Sequence, residues 1–574
     1  MNRRRFLLAT VGIGSLALPS GIESTISQHQ PVNGKAPSEN SIEGRVGVAI
    51  EETNSPVVEG ESLSVQFSAQ IMQGIVERTE ITLRVDGEVV DMVEVAFEEG
   101  DHTTGILTWE TEDGMGSFEG VEVTVSIHSS DTSAETTVLV KKVEARREGM
   151  VFSQVFDAVE DLGLDPAGST SIHHTLQSIE TNTLIRFPPG DYLVEGLTDV
   201  SGLVIGCEAK TSGVRLVAAP EFNDWILWGR EMEGLYISNI DIDQTSSNSS
   251  PGFFIHSSQI HMQDMEFFGR PDVWDTGSVT MIECAITDPD GHGELRNITA
   301  KKGHWARYGP NAGGRTGIYT GRRHVGTLKI INCDLREFGN NATYCSKTQP
   351  EGRVQIEDSY FENNNGSAIR IGGEGSYAKN CTVVVDPAVY TGPRTYEESS
   401  FTMRGIVVEE RFEGGMIQKP PGAKIQHCSI RIEDNPANGA AIHRYGNGRA
   451  LYVEDTDIEY NNNDYPAAVM VDAGGFGRNP EADPPRYLEF TNSSLKGSGD
   501  IEVAIHIERA DGSLIQGSTI HMEGASQNGV RIEESSDCSI IDSTIDVPGD
   551  PTIFSDSNVE VRNLNLDYSP KEIF

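Results

Sequence analysis

Along the C-terminal three quarters of the chain, short stretches of alternating apolar and polar residues recur with the same punctuation. A polar residue, usually Asn or Asp, is followed by Cys, Ser or Thr and soon by another apolar residue. Copies are Ile331-Asn332-Cys333-Asp334-Leu335, Glu357-Asp358-Ser359-Tyr360-Phe361, Lys379-Asn380-Cys381-Thr382-Val383 and Gln426-His427-Cys428-Ser429-Ile430. They continue as Glu454-Asp455-Thr456-Asp457-Ile458, Thr491-Asn492-Ser493-Ser494-Leu495, Gln516-Gly517-Ser518-Thr519-Ile520 and Ile541-Asp542-Ser543-Thr544-Ile545. The aligned positions 333, 359, 381, 428, 456, 493, 518 and 543 step by 26, 22, 47, 28, 37, 25 and 25 residues, the step of 47 being read as two turns. A period of 22 to 25 residues made of short strands rich in Asn, Gly and Ser predicts one coil of a parallel β-helix per repeat. The Leu-x-x-Leu-x-Leu pattern of a leucine-rich repeat is absent. Earlier copies lie around Ile240, Asp264 and Ile298.

Residues 45–142 alternate without the repeat. Ser64-Val65-Gln66-Phe67, Ile81-Thr82-Leu83-Arg84-Val85 and Val121-Glu122-Val123-Thr124-Val125 read as strands, with Asp86-Gly87 as a hairpin turn. Strands at this spacing without helices predict a β-sandwich, which resembles the immunoglobulin-like accessory modules of archaeal surface proteins. A polar linker, 28–44, precedes it.

Ser171 to Ile179 reads as a short capping helix, followed by Phe187-Pro188-Pro189-Gly190-Asp191-Tyr192 and then by the repeats. This succession, over residues 150–565, resembles the pectate-lyase superfamily. The resemblance implies a right-handed parallel β-helix, a scaffold shared by lyases, hydrolases, epimerases and non-catalytic surface proteins.

Composition adds an address. The chain holds 87 Asp+Glu against 44 Lys+Arg, a net charge of −43 spread along its length, and Arg outnumbers Lys. Such a surface resembles proteins of salt-in halophiles, where molar salt screens self-repulsion; an acidic mesophile protein or a chelator of divalent cations is the alternative. Arg3-Arg4-Arg5-Phe6-Leu7 and the apolar run to Leu18 resemble a twin-arginine signal, taken as residues 1–27. No other stretch is long and apolar enough for a membrane span. The expectation is a secreted or cell-surface protein whose partner is a polysaccharide and not nucleic acid. The seven cysteines lack C-x-x-C pairs and are read as buried free thiols.

Chemistry on a solenoid collects in lengthened turns. Leu295 to Cys333 contains no Asp or Glu but eight cations, among them Arg307, Arg315, Arg322 and Arg323, interleaved with His304, Trp305, Tyr308, Tyr319 and His324. Cations beside aromatic rings suit an anionic saccharide, so His304, Trp305, Arg307, Arg315, Tyr319, Arg322 and Arg323 are candidate substrate contacts. Arg322, Lys347 and Arg370, spaced 25 and 23 residues apart, predict a ladder on one face. Ser346-Lys347 and Gly366-Ser367-Ala368-Ile369-Arg370-Ile371-Gly372 resemble the catalytic segments of β-helical alginate and chondroitin lyases. That resemblance implies Lys347 as the base at C5, Arg370 neutralising or protonating, and calcium on the uronate carboxylate. The chain departs from it at Ile371, where the family has His, and at Asn340 to Cys345, where carboxylate ligands are replaced. Asp288-Pro289-Asp290-Gly291-His292-Gly293 holds the residue types of a polygalacturonase site, or simply forms a charged turn. The residues thus leave open a polysaccharide lyase, a hydrolase on the same fold, and a non-catalytic surface or adhesion protein.

Overall fold

A computed structural model describes residues 45–566 apart from internal stretches, the longest being 111–120, 272–279, 305–313, 393–401, 411–419 and 474–482. The signal segment and the linker lie outside the described residues, as do Asp86-Gly87, Trp305 and Arg307. No helix among the described residues is long and apolar enough to cross a membrane. The chain divides into two compact units, Met1–Gln154 and Val155–Phe574.

In the first unit the alternation becomes two antiparallel sheets. One contains Arg45–Thr53, Ser62–Gln73 and His102–Glu110; the other contains Glu88–Ala96, Arg78–Val85, Val121–Ile127 and Ser133–Val138 in that order. Val85 pairs with Glu88, so the two strands form a hairpin. Every second residue of Ser62–Gln73 turns inward, and Leu63, Val65, Phe67 and Ala69 share one core with Ile81, Leu83, Val123 and Val125 of the opposite sheet. That is a β-sandwich.

The second unit is a parallel β-helix. Parallel pairings join each turn to the next, for example Leu328↔Val354, Ile356↔Ala378, Ile425↔Val453, Phe490↔Ile515 and Ile515↔Ile540, and the inward residues form one continuous apolar core. The helix His173–Gln177 stands at its start.

The repeated punctuation has a backbone cause. Asn239, Asp264, Asn297, Asn332, Asp358, Asn380, His427, Asp455, Asn492, Gly517, Asp542 and Asn563 all have φ between 46° and 61°. This left-handed conformation turns the strand through a corner, and Gly, Asn and Asp enter it at least cost. Their side chains stack from coil to coil: Asn297 donates to Asp264 at 2.6 Å, Asn332 to Asn297 at 2.7 Å and Asn563 to Asp542 at 2.7 Å.

The residue after each corner points inward and receives a backbone N–H that the turning sheet leaves without a carbonyl. Thr456 N donates to Ser493 Oγ (3.1 Å), Ser493 N to Ser518 Oγ (3.2 Å) and Ser518 N to Ser543 Oγ (3.2 Å). Each hydroxyl in turn donates to the carbonyl two residues back, as Ser493 does to Thr491 at 2.8 Å. A Cys fills the same place at 333, 381 and 428, its thiol donating to the equivalent carbonyl at 3.3–3.5 Å. All seven cysteines are free, and burial pushes the Cys333 thiol up to about 12. Ser493→Val should therefore lower stability by about 1–3 kcal/mol, because Thr456 N loses its acceptor inside the protein. Ser493→Thr should cost less than half of that; urea unfolding midpoints of the two variants check the difference.

One expectation about spacing is corrected. Asn380 N donates to Gln426 O at 3.0 Å and Ser429 N to Cys381 O at 2.9 Å, so Cys381 and Cys428 occupy adjacent coils. The 47 residues between them are one coil with long insertions on either side of the strand Arg404–Val408, and not two turns.

Candidate functional site

One outward row of residues runs along the solenoid. Parallel pairing aligns Trp228 with Phe254, Phe254 with Glu283, Glu283 with Tyr319, and Tyr319 with Tyr344. Cys345 N donates to Arg370 O at 2.8 Å, which brings Arg370 beside Tyr344. A seven-stranded sheet, beginning with Ser367–Ile371 and Arg404–Val408, continues the row as Arg370↔Val407↔His443↔Met470↔His506. Neighbours in such a row stand ~4.8 Å apart. The inward alternates, such as Ile369 and Ile371, anchor the strand in the core and hold this row outward.

Charge and aromatic rings alternate at its centre. The Lys347 ammonium lies 5.0 Å from the Tyr344 ring centre and 5.5 Å from that of Tyr319. The Arg370 guanidinium lies 4.4 Å from the Tyr344 ring, so two cations converge on one phenol ring. Glu283, one coil before Tyr319, is held in a water-poor setting. Burial pushes its carboxyl up to about 7, against the pull of the Lys347 charge. A carboxyl at that value exchanges its proton near neutrality, which suits an acid or base.

Arg370 is anchored from behind. Its Nε and Nη2 donate to the two oxygens of Glu409, both at 2.7 Å, and Ser346 Oγ donates to Glu409 Oε1 at 2.9 Å. Glu409 is fully buried. Further along, His443 Nε2 meets Asp472 Oδ2 at 3.1 Å, while its Nδ1 has no hydrogen-bond partner among the described residues. Burial pulls the His443 pKa down, leaving a neutral ring at physiological pH.

The sequence-predicted residues separate into distinct places. Tyr319 lies in the outward row with Lys347 beside it, and Arg322 and Arg323 are exposed beyond it. Arg370 is not in register with Arg322 and Lys347; it aligns with Tyr319 and Tyr344, and the expected ladder of three cations does not form. With Nε and Nη2 on Glu409, Arg370 is a positioning residue and not a free partner for a substrate carboxylate. Arg315 is 1% exposed, donating to Gln244 Oε1 at 2.6 Å and to the Pro251 carbonyl, which removes it from the substrate contacts. His304 is buried too: its Nδ1 accepts from Arg315 N at 3.4 Å and its carbonyl from Arg270 at 2.7 Å. The basic stretch between residues 295 and 333 is thus divided between the interior and the surface, where Arg296 and Arg323 pair with Glu294 (2.6 Å) and Glu231 (3.8 Å). Asp288–Asp290 forms an exposed turn in which Asp288 Oδ1 accepts from Asp290 N at 2.8 Å, the charged-turn alternative, while His292 and the buried Gly293 begin the strand His292–Ala300.

The residues before Lys347 do not fit calcium. Asn341 Oδ1 is the acceptor for Ser367 Oγ, and Asn340 Oδ1 accepts from Asn341 N at 3.0 Å, so these amides serve the coil itself. Among the described residues no cluster of three His, Cys, Asp or Glu side chains is placed to hold a metal ion.

Glu283, Tyr344 and His443 in the row, and Glu409 behind it, did not stand out in the sequence. The spacing of 25 from Tyr319 to Tyr344, equal to the repeat, is the one signal that marks a member of it. No family model matches this sequence, and no curated protein does. Among solved structures, the A-module of mannuronan C-5 epimerase AlgE6 from Azotobacter vinelandii is similar over 72% of this chain and 100% of that module, at 11% identity and a TM-score of 0.34.

Proposed function

We propose that this protein binds an acidic, uronate-containing polysaccharide along the outward row and cleaves it by β-elimination. The observation that supports this most is Glu283, a carboxyl with its pKa near neutrality facing Lys347 among tyrosine rings. Glu283 in its ionised form takes the proton from C5 of the uronate. The electron pair left behind forms the C4–C5 double bond as the C4–O4 bond breaks. Lys347 stabilises the negative charge that gathers on the uronate carboxylate in between. Tyr319 and Tyr344, the phenols that follow Glu283 in the row, supply the proton returned to the departing O4. Lys347 therefore acts as counter-charge, and the base is a carboxylate. The same reading takes residues 1–27 as a twin-arginine signal and the mature protein as working outside the cell in molar salt.

The test is absorbance near 235 nm, which reports the unsaturated uronate, with alginate, pectate and glycosaminoglycans in molar salt. A rise that Glu283→Gln abolishes supports elimination at this site. No rise with any of them, from folded protein, overturns it in favour of a binding or surface protein. The pH profile carries a further expectation. Activity rises with pH through about 7, because the base must lose its proton. Lys347→Met removes the charge that holds the Glu283 carboxyl down, so the rising limb moves to higher pH and the maximal rate falls.

A further inference from the structure

The row does not begin at Glu283. On the two preceding coils, Trp228 and Phe254 stack with ring centres 4.3 Å apart and planes at 11°, and Trp225 stands edge-on to both at 6.0 and 5.6 Å. All three rings are partly exposed. The pairing that puts Phe254 beside Glu283 makes this block continuous with the site. Two polar atoms within it lack an internal explanation: Trp228 Nε1 and His256 Nδ1 are shielded from solvent and have no hydrogen-bond partner among the described residues. His256 is 8% exposed, and its ring lies 4.3 Å from that of Phe254.

Two cations stand at the block in a chain of net charge −43. The Arg230 guanidinium lies 5.0 Å from the Trp228 ring centre. It is exposed and has no ion-pair partner among the described residues. Arg323 approaches from a later coil, 3.8 Å from Glu231. Burial, then the charges of Arg323 and Arg230, pull His256 down to about 4, so its ring is neutral and one nitrogen is an acceptor.

We propose that Trp225, Trp228, Phe254 and His256, with Arg230 and Arg323, form a distal subsite that holds an acidic sugar residue of the polysaccharide one or two coils before Glu283. This rests on the reading above that the row binds a polyuronate. Apolar ring surfaces cover the sugar's C–H groups, and Arg230 and Arg323 take its carboxylate. A pyranose residue advances a polysaccharide by about one coil spacing, ~4.8 Å. Ligands long enough to reach from Lys347 to Trp228 therefore gain contacts that short ones cannot.

The experiment is calorimetric titration, in molar salt, of intact Glu283→Gln protein with alginate and galacturonate oligomers of three and of six or more residues, beside dextran as a neutral glycan. Arg230→Ala and Trp228→Ala are made in that background, the first because it alters only an exposed side chain. The expected result is that each weakens binding of the long acidic oligomers by about tenfold and leaves the short ones unchanged. Equal affinity of parent and Arg230→Ala for the long oligomers overturns the subsite, as does dextran binding as tightly as the acidic chains. If no acidic oligomer of any length binds the parent, it is the polyuronate reading itself that fails.

Discussion

Replacing Glu283 by Gln should lower the elimination rate by roughly 10² to 10⁴ while making the protein more stable at alkaline pH. The two effects have one origin. Burial holds the Glu283 carboxyl near 7 instead of 4.5, so the folded protein binds this proton more tightly than the unfolded chain does. Between those values the folded state carries the extra proton, and stability falls as pH rises through the window. Above about 7 the ionised carboxylate costs the fold about 3 kcal/mol relative to a neutral group. Gln keeps the shape without the charge. Melting temperatures of parent and variant should coincide near pH 4, where both side chains are neutral, and separate in favour of Gln by pH 9. A variant that loses activity together with stability at every pH would mean that Glu283 is a packing residue, and the assignment of the base would fall.

The fold was legible because its demands on sequence are local and repeated. Each corner needs a residue that accepts φ near +50°, and the next position needs a small hydrogen-bonding side chain, so Asn492-Ser493 and Asp542-Ser543 advertise the architecture in two letters. Coil length is not so encoded. Cys381 and Cys428 look two turns apart because insertions leave no mark on the pattern that distinguishes them from a missed repeat. The site was legible only where it shares that period. The repeat spacing brings Tyr319 and Lys347 to the same face as Tyr344, but it gives Arg370 the wrong neighbours, because a slip of three residues in coil length moves a side chain from one row to another. Glu283 could not be found this way: it stands 36 residues before Tyr319, and its chemistry comes from burial, which the pattern does not report. The basic stretch misled for a related reason. Lack of carboxylates in sequence says nothing about direction, and Arg315 points into the protein.

Glu409→Leu should destabilise the β-helix by about 3–5 kcal/mol. The carboxylate is fully buried, 39 residues from Arg370 in sequence, and accepts from Nε and Nη2 of that guanidinium as well as from the Ser346 hydroxyl. Removing it takes the opposite charge from a buried cation and an acceptor from the Ser346 hydroxyl. Arg370→Met should cost nearly as much, since it strands the carboxylate in the same way. The double variant Arg370→Met/Glu409→Leu should recover most of the loss, because neither charge then remains to be desolvated. Chemical unfolding of the four proteins measures the coupling. If the single losses simply add in the double variant, the pair is not one buried unit. If they cancel but elimination is also lost, Arg370 acts on the reaction through the Tyr344 ring that it covers at 4.4 Å, and the ion pair is what keeps that tyrosine in line with Glu283.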